Sequence, residues 1–295
     1  ENVPALSAVK GYVEKGGCTV LCGSSGCGKS TFLRCINHLI PQFYEGELKG
    51  FCLINGHDTK NLSIGEVGEL AASVFQDPRS QFFTTNSSAE VAFGLENFGF
   101  QHDEIVKRVD KVYKEFGLEK LKGRNIFELS SGERQLVAIL SAQALDAQIF
   151  LLDEPTANLD FAAIRQLEKL LASLKEQGKT IIINEHRLYY LKDIADEYIL
   201  MDSGKIVRRF TSEEILKFSE KELAEKKLRT INFKEIEKIP VSDVNVTEKN
   251  TFRAENICFT YKKEGDKILS GISLEARTGN VIGLIGSNGS GKTTF

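Results

Sequence analysis

The sequence predicts an α/β fold built around a mostly parallel sheet. Three short apolar runs, each bounded by polar residues, are predicted to be buried central strands: residues 20–22, 149–152 and 180–184. Such nearly continuous runs are typical of parallel strands covered on both faces. A helix-forming stretch, residues 161–177, connects the last two runs. Strands that alternate with helices in this way indicate a parallel sheet.

The remaining elements follow in chain order. A helix is predicted over residues 29–39, behind a glycine-rich loop, and a strand with a turn over residues 51–55. Residues 102–116 are predicted to form an amphipathic helix, because apolar residues recur there at helical spacing with charges between them. Those apolar residues are Ile105, Val106, Val109, Val112, Tyr113 and Phe116. A further helix is predicted over residues 131–145, and a strand over residues 251–261.

Composition and charge limit the classes of protein to which the chain can belong. With 295 residues, 41% of them hydrophobic, it can bury a sizeable core, and its length suggests about two domains. Its formal net charge of −3 argues against a general nucleic-acid binder, which would normally be basic. No apolar run approaches the roughly 18 residues of a membrane-spanning helix, and no charged-then-apolar leader indicates secretion. We therefore expect a cytoplasmic protein without a nucleic-acid partner.

The cysteines cluster early in the chain, five of the six before residue 53. Metal binding is one interpretation, but no paired C-x-x-C spacing is present. Cys18 and Cys22 flank a strand-like run, and Cys27 lies inside a loop that requires small residues. We therefore expect packed thiols in a reducing cytosol, and no disulfide.

One segment of the chain occurs twice. Residues 5–32 align without a gap to residues 268–295, and each copy contains the pattern G-x-x-x-x-G-K-[ST]. An internal repeat of this kind indicates tandem modules of one architecture. Between the copies, residues 211–250 interleave Glu and Lys, which is typical of a partly helical, solvated linker. The predicted organisation is a first module over residues 1–210, this linker, and the start of a second module over residues 251–295.

The repeated pattern is that of a phosphate-binding loop. Its glycines let backbone N–H groups approach phosphate oxygens, its lysine reaches the terminal phosphates, and its hydroxyl residue, Ser30 or Thr293, can ligate Mg²⁺. The helix that follows adds the positive end of its dipole. The alternative, a glycine-rich turn with a chance Lys-Ser, is disfavoured because the flanking strand and helix are present and the block occurs twice. The predicted ATP-binding residues are Gly23, Ser24, Ser25, Gly26, Cys27, Gly28, Lys29, Ser30 and Thr31 in the first copy, and Gly286, Ser287, Asn288, Gly289, Ser290, Gly291, Lys292, Thr293 and Thr294 in the second.

Two carboxylates follow the predicted strand at residues 149–152. Ligands of an α/β sheet bind beyond the carboxyl ends of its strands, so Asp153 and Glu154 are expected beside the phosphate loop. Asp153 is predicted to hold Mg²⁺ through water, and Glu154 to act as general base toward the attacking water. The alternative is a strand that simply ends in an acidic turn, and the phosphate loop makes it the less favoured one.

Further motifs, in order along the chain, resemble those of a known family. They are Gln76, Leu129-Ser130-Ser131-Gly132-Glu133, Asn158-Leu159-Asp160 and His186. With the phosphate loop and Asp153-Glu154, they resemble the Q-loop, signature, D-loop and switch histidine of ABC-type ATPases. The resemblance covers the chain apart from the linker. It departs from the usual L-S-G-G-Q signature at Ser131 and Glu133.

This resemblance implies ATP hydrolysis by two modules that face each other. Ser130 and the N–H groups at Gly132 begin a helix, an anion site that in this family contacts the γ-phosphate on the opposing module. The family also implies that Gln76 contacts Mg²⁺ or the attacking water and that His186 contacts the γ-phosphate. Ser130 can equally be an ordinary N-cap, and a lone histidine is more often structural. The implied fold is a P-loop NTPase core with an antiparallel β subdomain and a helical subdomain.

The segment after Gln76 narrows the resemblance. Q-D-P-R-S-Q-F-F at residues 76–83, with A-E-V-A-F-G at residues 89–94, looks like the pattern of ATPase subunits of energy-coupling factor (ECF) transporters. This implies import of a vitamin or transition-metal ion at the cytoplasmic face of the cell membrane. The implied partners are an integral membrane transmembrane subunit, docked on a helical subdomain at residues 77–142, and a small substrate-binding membrane subunit. The alternative is a generic Q-loop in which Phe82 and Phe83 pack in the core.

Two functions of other classes stay open at this point. The Lys/Glu-rich linker is compatible with a soluble tandem ABC ATPase that acts on the ribosome, although it lacks a strongly basic face. The second open function is a scaffold that binds nucleotide but does not hydrolyse it. Glu154 argues against this function, since degenerate sites commonly lose this carboxylate.

The register of the repeat adds one further ATP contact. In this family an aromatic residue upstream of the phosphate loop stacks on adenine, and such stacking contributes about 1–3 kcal/mol. Tyr261 is that residue in the second copy, and its counterpart in the first is expected before Glu1. The later motifs of the second module are expected beyond Phe295. We therefore expect a fragment of a tandem ATPase that hydrolyses ATP poorly in isolation.

Overall fold

The computed structural model describes residues 4–232, 250–261 and 267–295. The chain forms two compact units, residues 1–236 and residues 237–295. Within the described residues, no helix combines the length and the apolar character needed to cross a membrane.

Strands and helices alternate along the described part of the first unit. The strands are β1 (Cys18–Cys22), β2 (Leu53–Ile54), β3 (His57–Asp58), β4 (Ala71–Val74), β5 (Ile149–Asp153), β6 (Thr180–Asn184), β7 (Glu197–Asp202) and β8 (Lys205–Thr211). The α-helices are α1 (Lys29–Ile36), α2 (Leu39–Gln42), α3 (Ile64–Leu70), α4 (Ser87–Asn97), α5 (His102–Glu115), α6 (Ser131–Ala144), α7 (Phe161–Glu176), α8 (Ser212–Ile215) and α9 (Glu220–Glu225). One-turn 3₁₀ helices lie at Thr59–Asn61, Pro78–Ser80, Glu119–Leu121 and Ile126–Glu128.

Six of these strands form one sheet in the order β4-β5-β6-β1-β7-β8. The pairs from β4 across to β7 are parallel, and β8 pairs antiparallel with β7. β2 and β3 form a separate antiparallel pair. β5, β6 and β1 are neighbours in the sheet, although β1 comes first in the chain. Because they run parallel, their carboxyl ends meet at one edge of the sheet. The predicted mostly parallel sheet is confirmed.

Alternate residues of the central strands pack on opposite faces of this sheet. Val20 of β1 and Phe150 of β5 belong to a hydrophobic cluster shared with helices α4 to α7. Leu21 and Leu151, one residue further along each strand, belong to a second cluster shared with α1 and α3. Both faces are therefore covered, which explains why the strands are continuous apolar runs.

Two predicted helices differ from the structure in detail. α1 ends at Ile36 rather than at residue 39, because His38 adopts a left-handed backbone with φ of 60° that interrupts the helix. α5 lies where it was predicted, but Val106 is 46% exposed, since it lies at the edge of the apolar stripe. The buried residues of that stripe are Ile105, Val109, Val112 and Tyr113.

Residues 211–232 differ from the predicted solvated linker, because they pack onto the first unit. Four apolar side chains, each at most 9% exposed, join the main core: Ile215, Leu223, Leu228 and Ile231. α8 and α9 each begin with a capping box, in which a Thr or Ser and a Glu satisfy each other's backbone N–H groups. Glu214 and Glu222, whose charges contributed to the prediction of a solvated linker, therefore cap these helices. The rest of that segment, residues 233–249, lies outside the described residues.

The described residues of the second unit form an antiparallel pair, β9 (Asn250–Phe259) and β10 (Leu269–Arg277), followed by the second phosphate loop. Residues 281–285 align with β1 in the repeat but are not a strand, and Val281 is 99% exposed. No described strand of this unit runs beside them, whereas β1 pairs with both β6 and β7. The same pattern forms a strand only where parallel neighbours complete its hydrogen bonds.

The cysteines of the central sheet are packed inside it. Burial raises the pKa of Cys18 and of Cys22 to about 12, so both carry neutral thiols at physiological pH. Cys27, in the phosphate loop, is 4% exposed, and all six cysteines are free. In the first unit these three thiols therefore act as small apolar residues.

Candidate functional site

The first phosphate loop is a tight turn between β1 and α1. A Cβ built on Gly23, whose φ is 137°, would lie 2.1 Å from the carbonyl oxygen of Met201, so only glycine fits there. Gly28 caps α1 with φ of 105°, and the free N–H groups of the helix begin at the loop. In chain order the loop glycines have φ of 137°, 76° and 105° in the first copy and 154°, 79° and 85° in the second. Both loops therefore share one backbone conformation.

Lys29 closes the first loop on itself. The residue is 4% exposed, and its Nζ donates to the carbonyl oxygens of Gly23 at 3.1 Å and of Ser24 at 2.9 Å. Lys292 donates to the two equivalent carbonyls of the second loop, at 2.8 and 2.5 Å. Each loop thus holds an ammonium group where the terminal phosphates of a nucleotide would lie.

Ser30, Asp153 and Asn184 meet at the carboxyl ends of β5 and β6. Ser30 Oγ donates to Asp153 Oδ1 at 2.9 Å. Asn184 Nδ2 donates to Ser30 Oγ at 3.3 Å and also to Asp153 Oδ1. Asn184 is fully buried, and its Oδ1 has no hydrogen-bond partner within the described residues. Ser30 and Asp153 were predicted to act together, whereas Asn184 carries no motif, and only its place at the end of β6 could have indicated it.

Glu154 joins Gln76 and His186 beside this group. Gln76 Nε2 donates to Glu154 Oε2 at 3.2 Å, and His186 Nε2 lies 3.3 Å from Glu154 Oε1. The three side chains follow the neighbouring strands β4, β5 and β6. Glu154 has a left-handed φ of 43°, a conformation that costs about 1–2 kcal/mol and that concentrates at functional sites. The structure brings together the three residues predicted to be catalytic.

Glu154 and His186 line a cavity of about 400 Å³, whereas Gln76 is not among the residues that line it. Gly23, Ser24 and Ser25 of the loop line the same cavity, and so does Glu185. The carboxylate and the imidazole therefore share with the beginning of the phosphate loop a space that can hold a phosphate group.

Glu185 is a buried carboxylate that no sequence motif indicated. It is 2% exposed, and its Oε1 accepts from the N–H groups of His186 at 2.7 Å and Arg187 at 3.0 Å. Its Oε2 accepts from Thr156 Oγ1 at 2.6 Å and from the Tyr190 hydroxyl at 3.0 Å. Burial, together with the adjacent Glu185, raises the pKa of Tyr190 well above its ordinary value. Glu185 thus joins the turn after β5 to the loop that carries His186.

We expect Glu185→Ala to lower kcat at least about tenfold for the ATP hydrolysis that the resemblance implies, because it releases the backbone of His186 from a charge-assisted hydrogen bond. The Michaelis constant should change little, because Glu185 borders the cavity but protein groups engage both of its carboxylate oxygens. Glu185→Gln keeps an oxygen for the two N–H groups and should retain most of kcat. Steady-state kinetics with melting temperatures of both variants checks this. Losses of kcat that simply follow the melting temperature would reduce Glu185 to a structural role.

The predicted signature lies at the N-terminus of α6. Ser130 Oγ accepts from the N–H of Glu133 at 3.2 Å, and Glu133 Oε2 accepts from the N–H of Ser130 at 2.8 Å, a capping box. A Cβ on Gly132 would lie 2.5 Å from Ala163 Cβ in α7, so glycine permits the close approach of the two helices. Ser130 is therefore an N-cap, and Glu133 in place of the usual Gln completes it. Ser130 and Gly132 do not line the cavity of the first loop.

Polar side chains organise the segment after Gln76. Asp77 caps the 3₁₀ turn Pro78–Ser80. Gln81 accepts from the N–H of Phe75 at 3.1 Å and donates to the carbonyl of Ser73 at 3.2 Å. Gln81 thereby ties the turn to β4, the strand that Gln76 follows.

Two exposed phenylalanines lie near this turn. Phe83 is 75% exposed and Phe127 is 73% exposed, and an antiparallel bridge joins the segments that carry them. Phe83 stacks on Phe93 with ring centroids 4.7 Å apart, whereas Phe82 packs against the core. Of the two phenylalanines that the alternative placed in the core, Phe82 packs there and Phe83 does not.

In the second unit, Tyr261 lies beside the second loop. Its hydroxyl is 3.2 Å from Thr294 Oγ1, and its ring is 72% exposed. Phe259 supports it edge-on, with centroids 5.0 Å apart. The predicted adenine platform is thus near the loop that it is predicted to serve, with an open ring face.

Known proteins are similar to this chain in sequence. The ABC transporter family matches residues 6–157, about half of the chain. A protein of Treponema denticola named ABC transporter ATP-binding protein is 42% identical over 288 residues, which cover 96% of this chain and 58% of the relative. One of the same name from Methanosarcina mazei is 33% identical, over 98% of this chain and 56% of the relative. The chain thus spans a little under three fifths of the curated relatives that it matches.

Solved structures share the fold. CbiO1 of Clostridium perfringens, described as part of the ABC transporter complex CbiONQ, has a TM-score of 0.65 and 31% identity, over 75% of this chain and 87% of that one. The ATP-binding cassette MJ0796, solved as a dimer in a post-hydrolysis state with ADP and phosphate, has a TM-score of 0.61 and 26% identity, over 70% of this chain and 90% of that one. The predicted ABC ATPase fold is confirmed. By sequence and by fold, the chain belongs to the ABC transporter family, among its ATP-binding proteins.

Proposed function

We propose that this chain binds and hydrolyses ATP to energise a membrane importer of the ECF type. The observation that carries the proposal is that Gln76 and His186 both contact Glu154, while Glu154 and His186 share a cavity with the loop closed by Lys29. Base catalysis on water requires a carboxylate within hydrogen-bond reach of the reacting groups, and a phosphate loop holds the other reactant.

The residues of the site fit a Mg²⁺ ion. Ser30 Oγ and Asp153 Oδ1 are hard oxygen donors 2.9 Å apart, and the buried, unpartnered Oδ1 of Asn184 is carried by the same cluster. Gln76 is the further candidate ligand, and Thr293 takes the place of Ser30 in the second loop. Mg²⁺ is usually held by one or two carboxylates plus phosphates and water. The bound ion would neutralise charge on the transferred phosphoryl group.

The chain's own residues would position the reaction. Lys29 would place its ammonium on the terminal phosphates, beside the free N–H groups that begin α1. Glu154 would accept a proton from the attacking water while the water oxygen bonds to the terminal phosphorus and the bond to ADP breaks. Gln76 would orient that water, and His186 would contact the γ-phosphate. The products are ADP and phosphate.

A second module would complete each ATP site. Ser130 is exposed at a helix N-terminus that lies outside the first cavity, and such a terminus binds anions. Ser130 and Gly132 would therefore serve the γ-phosphate bound by an opposing module, within one tandem chain or between chains. The dimer of the similar MJ0796 cassette supports this pairing. In the second site, Tyr261 would stack on adenine and Lys292 would hold the phosphates.

The exposed aromatic surface formed by Phe83, Phe93 and Phe127 fits a membrane partner. Aromatic side chains on a rigid support are typical anchors of protein interfaces. Gln81 ties this surface to β4, so a docked partner would act on the strand that Gln76 follows. CbiO1, described as part of an ABC transporter complex, supports a transporter complex as the partner. The ECF resemblance adds an integral membrane transmembrane subunit and a small substrate-binding membrane subunit. The protein would then act at the cytoplasmic face of the membrane, on a vitamin or a transition-metal ion.

Purification of the tagged full-length product from detergent-solubilised membranes tests this function. We expect an integral membrane protein to co-purify, and Phe83→Asp to reduce its recovery about tenfold, because a buried carboxylate would replace an aromatic anchor. Phe51→Asp, at an equally exposed phenylalanine beside β2, should leave recovery unchanged. Co-sedimentation with ribosomes, without a membrane protein, would favour the soluble alternative.

A further inference from the structure

A short segment after α9 lines the cavity of the first phosphate loop. Lys227, Leu228 and Arg229 border this cavity, which Glu154 and His186 also line. The segment belongs to the stretch whose composition predicted a solvated linker, and it carries none of the motifs that define the site. Its two cationic side chains are therefore an unassigned part of the nucleotide pocket.

The end of α9 holds this segment in place. The N–H of Lys227 donates to the carbonyl of Ala224 at 2.9 Å, and that of Leu228 to the carbonyl of Leu223 at 2.8 Å. This pair of bonds is the Schellman ending of a helix. Leu223 and Leu228 are 2% and 9% exposed in the main core. Backbone hydrogen bonds and apolar packing thus fix the backbone from which Lys227 and Arg229 extend.

Lys227 occupies the position of this motif at which glycine is usual. Its φ is 57°, in the left-handed region that disfavours a side chain. Strained positions of this kind concentrate at functional sites. An ion pair does not explain the lysine, because its Nζ lies 3.9 Å from Asp202 Oδ1 and its side chain is 67% exposed. Glycine would fit this backbone with less strain, so the helix end itself does not require a lysine.

The chemistry of the cavity identifies what the two cations would bind. Gln76 and His186 already contact Glu154, and four hydrogen bonds already satisfy Glu185. Arg229 forms no ion pair with any described residue. Lysine and arginine without a tight carboxylate partner, beside a phosphate loop, match a phosphate oxyanion.

We propose that Lys227 and Arg229 bind the terminal phosphate group at the first site, so that this segment distinguishes ATP from ADP. The inference rests on the proposed function, which places the γ-phosphate between Lys29 and His186. Glu154 and His186 mark the terminal-phosphate end of the cavity, and the two cations share that cavity with them. The α and β phosphates, held by the loop itself, are not assigned to them. ADP therefore lacks the group that this pair would recognise.

Nucleotide titrations of the full chain test the proposal, in a Lys292→Ala background that silences the second loop. Mg²⁺ with the non-hydrolysable analogue AMP-PNP, and Mg²⁺ with ADP, are titrated separately. Lys227→Gly with Arg229→Gln should weaken AMP-PNP binding about tenfold, the loss expected for charge-assisted hydrogen bonds, and leave ADP binding within about twofold. Lys227→Gly also suits the left-handed backbone, so this variant should fold. Lys227→Arg, which keeps the charge, should retain the preference for AMP-PNP.

A matched control separates contact from overall charge. Lys217→Gln with Lys221→Gln also removes two positive charges, from exposed positions that precede the segment in the chain, and should change neither affinity. Equal losses for AMP-PNP and ADP, or tighter AMP-PNP binding, would overturn the proposal while leaving the proposed function intact. A parent chain that bound neither nucleotide would instead overturn both. Melting temperatures of all variants establish that each one is folded.

Discussion

Glu154→Gln is expected to lower ATP hydrolysis at the first site about a thousandfold while ATP still binds, within the range of general-base contributions. The substitution keeps the size of the side chain and one oxygen, so the contact with Gln76 can persist. It removes the negative charge that would accept a proton from water. The left-handed backbone of Glu154 is unaffected, because its N–H still donates to the carbonyl of Asn184. Binding and chemistry should therefore separate.

Single-turnover phosphate release from the assembled complex measures this effect, with Lys292→Ala present so that only the first site turns over. Glu115→Gln, an exposed residue at the end of α5, is the matched control and should behave like the parent. Turnover by Glu154→Gln within a few-fold of the parent would remove Glu154 from the role of base. Loss of ATP binding in the same variant would contradict the separation of the two steps.

The sheet was predictable because its central strands are buried on both faces. Val20 and Leu21 face different clusters, so consecutive positions of β1 are apolar and the run at residues 20–22 is conspicuous in the sequence. The same pattern at residues 281–285 is not a strand, since pairing depends on neighbours that lie far away in the chain. Periodicity and composition therefore indicate which segments can become strands, but the surrounding sheet decides which of them do.

The segment at residues 211–232 shows how charge can mislead. Its glutamates and lysines suggest solvation, yet Leu223 and Leu228 are buried in the main core. Glu214 and Glu222 each accept a hydrogen bond from the N-cap backbone of a helix, in addition to any contact with solvent. Composition averages over these positions, whereas packing distinguishes them one by one.

The candidate site divides in a similar way. Lys29, Glu154 and His186 were predictable because local motifs with fixed spacing carry them. Glu185 and Lys227 were not, because their importance arises from contacts between elements: Glu185 links the turns after β5 and β6, and Lys227 reaches the cavity from the end of α9. Motifs identify groups that touch the substrate, and the residues that hold or surround those groups require the structure.

Lys29→Ala is expected to weaken ATP binding at the first site about a hundredfold, because it removes a buried ammonium from the place of the terminal phosphates. It also leaves the carbonyls of Gly23 and Ser24 without their donor, so the loop loses the internal bonds that hold its shape. Lys292→Ala should have the same effect in the second loop, whose lysine makes the equivalent contacts. The two substitutions therefore act on two separate phosphate loops.

Isothermal titration with Mg²⁺ and AMP-PNP measures the number of tight nucleotide-binding sites per chain. Two tight sites per chain should fall to one in either single variant and to none in the double variant, whereas Lys60→Ala, at an exposed lysine, should keep both. The site that survives identifies its loop, because Tyr261 lies beside Thr294 of the second loop. Tyr261→Ala should therefore weaken the site left by Lys29→Ala and spare the one left by Lys292→Ala. Undiminished binding in Lys29→Ala would remove that lysine from the phosphate site. A Tyr261 effect on both sites would mean that the loops, although they share one conformation, do not bind nucleotide independently.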